Sequence, residues 1–138
     1  MKKFILLSMT LLSSISSIAD SWIHKNDFAG DGRDGAVTFF VNSKLYVATG
    51  LDHKDTWEYD ETTDSWTQKA DLTAAGRSYA IAFAIGDKGY LGTGAFSSSS
   101  YLKDFWQYDP ILNTWTQKAD FLGSARSGAV SFVIAGKG

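Results

Sequence analysis

Cysteine is absent from all 138 residues, proline occurs once and histidine twice. Without cysteine no disulfide can brace the fold, no thiol can serve as a nucleophile, and no cysteine-ligated zinc can form. His24 and His53 stand without neighbours at metal-ligand spacing, so both read as ordinary strand or loop residues and no metal or cofactor is expected. A basic run is missing too, and the balance is 13 basic to 15 acidic residues, which makes nucleic acid and anionic membrane poor partners. Aromatic side chains are plentiful instead, 14% within a hydrophobic share of 44%, well above the disordered range. A fold built from this chain must hold by packing.

The first residues are set apart by their chemistry. Lys2 and Lys3 precede an apolar run from Phe4 to Leu12 and a serine-rich stretch ending Ser17-Ile18-Ala19. That order is the pattern of a secretory signal peptide over 1–19, cleaved before Asp20. The apolar run is too short to span a bilayer, so no membrane insertion is expected after cleavage. Loss of two lysines leaves 11 basic and 15 acidic residues, a net charge of −4. Periplasm, cell surface and medium all remain open as destinations.

The rest of the chain repeats itself. "SWTQKAD" at Ser65–Asp71 returns as "TWTQKAD" at Thr114–Asp120, and the register from Ser65 to Gly89 against Thr114 to Gly138 holds 13 identities in 25. Trp22, Trp66 and Trp115 each precede an arginine by 11 residues, namely Arg33, Arg77 and Arg126. After each arginine comes an apolar run: Ala36–Val41, Ala80–Ile85 and Ala129–Ile134. Such runs suit strands buried on both faces. "KLYVATG" then closes at Gly50 and "KGYLGTG" at Gly94, followed by "DTWEYD" and "DFWQYD". Glycine at Gly50 and Gly94 suits a strand end that needs a positive φ or a close backbone approach. In Trp57-Glu58-Tyr59 and Trp106-Gln107-Tyr108 the aromatic residues share one face of a strand, and the polar residue points the other way.

Each unit therefore predicts four short strands, with turn chemistry between them and no helical periodicity. The expected fold is all-β, with blades at 33–70 and 77–119, a truncated unit at 126–138, and an orphan outer strand at 21–24. Four-stranded antiparallel units repeating every 44 to 49 residues point to β-propeller blades stacked on one another. This chain predicts an incomplete ring of about two and a half.

The order of arginine, apolar strand, "LYVATG" or "GYLGTG", "DTWEYD" or "DFWQYD", then "SWTQKAD" resembles the kelch repeat of kelch and galactose-oxidase-like propellers, in its exported bacterial form. The likeness extends from Ser21 to Gly138. It departs from the family at Thr49-Gly50 and Thr93-Gly94, where the family's strand end carries two glycines, and this puts the close packing at Thr49 and Thr93 in question. The resemblance implies a propeller. It leaves the activity open, because relatives of this kind include copper-dependent galactose oxidases, exported sialic acid mutarotases and many non-enzymatic binding modules. The copper chemistry needs a cysteine-linked tyrosine that this chain does not have.

Arg33, Arg77 and Arg126 have two readings. They could ring a channel mouth and grip a carboxylate, as a sialic acid site requires. Their recurrence in every unit favours a scaffold role, each tied to backbone carbonyls or to an acid such as Asp71 or Asp120. By the same logic Trp22, Trp57, Trp66, Trp106 and Trp115 read as core, and Gly50 and Gly94 as structural. What breaks the symmetry is the insertion Ala95–Lys103, "AFSSSSYLK". Its Phe96, Ser97, Ser98, Ser99, Ser100, Tyr101 and Lys103 are candidate binding residues, on the same propeller face as Asp52 and His53. A plain solvated serine-rich linker is the competing reading. No acid–base pair, nucleophile or metal set assembles in the sequence, so no catalytic residue is assigned. The expected role is an interaction or scaffold module for a protein or glycan, alongside remaining propeller blades or a second copy. The alternative is part of a sugar-processing enzyme such as a sialic acid mutarotase.

Overall fold

The computed structural model describes residues 22–97 and 99–138, so the expected signal peptide, Ser21 and Ser98 lie outside the described residues. The first sheet runs β1 (Val37–Val41), β2 (Lys44–Ala48), β3 (Thr56–Asp60) and β4 (Ser65–Lys69), paired antiparallel in chain order. The second contains β5 (Ile81–Ile85), β6 (Lys88–Gly92), β9 (Phe105–Asp109) and β10 (Thr114–Lys118), paired in that order. Between β6 and β9, the strands β7 (Ala95–Phe96) and β8 (Ser100–Tyr101) form a small hairpin, with Ala95 opposite Tyr101 and Phe96 opposite Ser100. No helix occurs among the described residues.

Local chemistry sets the turns. Asn42 and Ser43 join β1 to β2 with φ of 51° and 60°, the left-handed pair that a two-residue hairpin needs to match strand twist. Between β3 and β4 the Asp60 carboxylate accepts from the Thr62 amide at 2.9 Å, and Asp109 repeats this with Ile111 at 2.9 Å.

The sheets pack face to face. Phe39 and Tyr46 stack at 5.1 Å on the first sheet and meet Tyr108 and Trp115 of the second. Gly89 makes the approach possible: a Cβ there would lie 2.3 Å from the Phe39 ring. Leu72, Leu91, Trp106 and Trp115 complete a buried core with Val37, Val41 and Ala80.

Three expectations need correction. β1 is buried on one face only, because its alternation puts Val37, Phe39 and Val41 inward and leaves Phe40 63% exposed. Ala129–Ile134 forms no strand, its only bridge being the turn pair Ile134–Lys137. A strand exists through ladder partners, and among the described residues no neighbouring strand follows it. Trp22–His24 is likewise not a strand, and Trp22 is fully exposed.

Both segments nevertheless sit in repeat register. The Asn26 carbonyl accepts from the Trp66 indole at 3.4 Å, as the Ala70 carbonyl does from Trp115 at 3.2 Å. The Gly128 amide donates to Tyr79 O at 2.8 Å, as the Tyr79 amide does to Gly35 O at 2.8 Å. Gly138 lies against Phe83 as Gly89 lies against Phe39. The outer face of the second sheet remains open along Ile81, Phe83 and Phe105, a groove of about 570 Å³ that Phe132 and Ile134 border.

Candidate functional site

The repeated arginines are internal ties. Arg33 Nη1 and Nη2 donate to the two Asp55 oxygens at 2.5 and 2.8 Å, and Nη1 also donates to Thr49 O at 3.1 Å. Arg77 repeats the arrangement with Asp104 at 2.6 and 2.7 Å and with Thr93 O at 3.0 Å. Each carboxylate also accepts from an indole, Trp57 or Trp106, at 2.7 Å. The partners are thus Asp55 and Asp104, and not the suggested Asp71 and Asp120. Those acids face Lys54 and Lys103 instead, at 3.9 and 3.7 Å across exposed surface. Burial pushes the Asp104 carboxyl up, but the hydrogen bonds from Arg77 and Trp106 outweigh it and hold the group below the usual carboxylate range; Asp55 behaves likewise with Arg33 and Trp57.

This chemistry removes two of the three guanidiniums from ligand binding. The Arg77 side chain is wholly buried and that of Arg33 is 4% exposed. Arg126 is exposed, stacks over Phe121 at 4.9 Å, and has no acidic partner among the described residues. Trp106 and Trp115 are core, while Trp57 and Trp66 are half-buried around Phe28. Thr49 and Thr93, with φ of 60° and 58°, take the left-handed conformation that the first glycine of each pair would have supplied, and their buried hydroxyls have no hydrogen-bond partner among the described residues. Gly50 and Gly94 follow at φ of 90° and 96°. His24 is exposed beside Asp27, and among the described residues no group of three metal-ligating side chains converges.

A second arrangement lies where the β7–β8 hairpin folds over the first unit. There Asp52, Ser78, Tyr79, Ala95, Ser97, Tyr101 and Ser127 line a concavity of about 320 Å³. Three units build it. Asp52 comes from the loop after β2, with φ of 59°. Ser78, Tyr79 and the hairpin come from the second unit, and Ser127 follows Arg126 in the third. A bridge between Ser78 and Ala95 anchors the hairpin, with 2.9 Å bonds in both directions. The Asp52 amide donates to Ser78 Oγ at 3.3 Å, and the Ser97 amide donates to Asp52 Oδ1 at 3.4 Å. The insertion is therefore a hairpin pinned across a hollow and not a free linker.

Of the candidate binding residues, Asp52, Ser97 and Tyr101 meet in this hollow. Phe96, Ser99 and Ser100 are exposed on the same hairpin, and Ser98 lies outside the described residues. His53 and Lys103 do not line it: His53 O receives the Arg77 amide, and Lys103 faces Asp120. Ser78, Tyr79 and Ser127 escaped the sequence reading. The signal was present in "RDGAV", "RSYAI" and "RSGAV", where the middle unit alone replaces glycine by tyrosine.

No family model matches the chain, and no curated protein matches it. Among solved structures it is similar to that of YjhT, at 22% identity and a TM-score of 0.66 over 75% of this chain. The alignment covers 32% of the YjhT chain, so this sequence spans about a third of that length. The likeness establishes the fold: all-β, built of antiparallel four-stranded sheets, and β-propeller-like.

Proposed function

We propose that the protein is an exported kelch-type propeller segment of about two and a half blades, acting as an interaction module for a glycan or protein rather than as an enzyme. The concavity between the first unit and the β7–β8 hairpin carries this reading. It gathers a carboxylate, serine hydroxyls and two half-exposed tyrosines on variable loops of a rigid repeat, the kind of place where recognition concentrates. The open apolar face along Ile81, Phe83 and Phe105 supports further blades as a neighbour, since the matching face of the first sheet is covered by the second sheet. Engagement of Arg33 and Arg77 by Asp55 and Asp104 takes both guanidiniums out of an anion-gripping role and leaves Arg126 as the one repeated arginine without an acidic partner among the described residues.

Glycan and peptide arrays test the proposal. Binding above background is expected, and removing Ser97 to Ser100 should weaken it while the far-UV circular dichroism stays unchanged. Silence on both arrays overturns the reading, and so does acceleration of sialic acid anomer exchange in one-dimensional NMR.

A further inference from the structure

Tyr79 occupies a backbone position that its repeat partners give to glycine. Its φ is 54°, while Gly35 and Gly128, in register before and after it, have φ of 61° and 68°. The three are linked through the 2.8 Å bonds from the Tyr79 amide to Gly35 O and from the Gly128 amide to Tyr79 O. The geometry is therefore a property of the repeat. A bulky side chain there is strained, and glycine would satisfy the same hydrogen bonds without strain. Strain of this kind persists when the surrounding structure over-determines it, and it concentrates at binding and catalytic sites.

The tyrosine side chain gives folding little in return. It is 52% exposed, and among the described residues its hydroxyl reaches only the exposed Asp34 carboxylate, at 3.1 Å. It does line the concavity, with Tyr101 at 55% exposure, Asp52, and the hydroxyls of Ser78, Ser97 and Ser127. Among the described residues Asp52 has no basic partner within salt-bridge distance, and no lysine or arginine lines the hollow. The hollow thus offers aromatic surface, hydroxyls and one carboxylate acceptor, with no cation. An anionic ligand would meet Asp52 unpaid by any positive charge, whereas a polyol ring would donate hydroxyls to it and lay its C–H face on an aromatic ring.

We propose that this concavity binds a neutral sugar ring, with Tyr79 as the stacking platform at a position where the other units carry glycine. This rests on the interaction-module reading and names its ligand class.

The test uses methyl glucosides, galactosides and mannosides as probes, with free sialic acid as the anionic comparison, followed by saturation-transfer NMR and titration. The wild type should bind at least one neutral glycoside and should not prefer sialic acid. Tyr79→Ala and Tyr79→Gly should each weaken binding about tenfold or more, and Tyr79→Phe should restore the ring and the binding. Because alanine keeps the strain and glycine releases it, Tyr79→Gly should melt on the order of 4 °C above Tyr79→Ala. Undiminished glycoside binding by Tyr79→Ala overturns the platform role while leaving an interaction module standing. Preference for sialic acid overturns the ligand class, as does absence of binding to every glycoside. A Tyr79→Gly protein that melts below Tyr79→Ala shows that the position carries no strain for glycine to release and overturns the argument from strain.

Discussion

Replacing Asp104 by asparagine tests whether the repeated arginine is a structural tie. The change keeps the size of the side chain and one acceptor oxygen but removes the charge facing Arg77, whose side chain has no solvent exposure. Leaving a buried cation without its partner costs about 3–5 kcal/mol, and the surviving amide oxygen places Asp104→Asn near about 3 kcal/mol. With an m-value of about 1–3 kcal/mol/M in urea, the unfolding midpoint should fall by about 1–3 M without a change in m. Asp71→Asn is the control. Its partner Lys54 lies 3.9 Å away with both side chains well exposed, so the loss should stay below about 1 kcal/mol. The pH dependence follows from the depressed folded-state pKa of Asp104. A lowered carboxyl contributes stability above its unfolded value of about 3.9 and loses it as pH falls through the folded value. Acidification below about pH 4 should therefore remove stability from the wild type, and less of it from Asp104→Asn. Equal midpoints for Asp104→Asn and wild type, or an equal loss in Asp71→Asn, would refute the reasoning.

Thr93→Gly should raise the melting temperature. Release of left-handed strain (about 1–2 kcal/mol) and of a buried hydroxyl without a partner (about 1–3 kcal/mol) outweighs glycine's flexibility (about 0.5–1 kcal/mol) and a lost methyl (about 0.8 kcal/mol); a lower melting temperature would count against it. Gly89→Ala should cost about 1–3 kcal/mol by pressing its methyl into Phe39, and Phe39→Leu in the same chain should recover part of that loss. Simple additivity of the two substitutions in a urea double-mutant cycle would show that the ring and the glycine do not meet.

The repeat, the strands of its two complete units and the turns between them were legible in the sequence, because these depend on neighbours close along the chain. Asn42-Ser43 demands a tight hairpin, and the phrases around Trp57 and Trp106 alternate as strands must. The insertion Ala95–Lys103 announced itself as the break in symmetry for the same reason. Tertiary structure decided what depends on distant partners. The sequence suggested Asp71 and Asp120 as partners for the repeated arginines, and only the close of β2 beside the start of β3 brings Asp55 to the Arg33 guanidinium. Ala129–Ile134 has the letters of a strand, yet a strand needs a ladder partner that no single segment can supply. The hollow lined by Asp52, Tyr79 and Ser127 draws on three units whose loops converge only when the sheets stack, so no single segment announces it. Tyr79 was legible as a departure from glycine, but its cost appeared only with a φ of 54° enforced by bonds to Gly35 and Gly128 on either side.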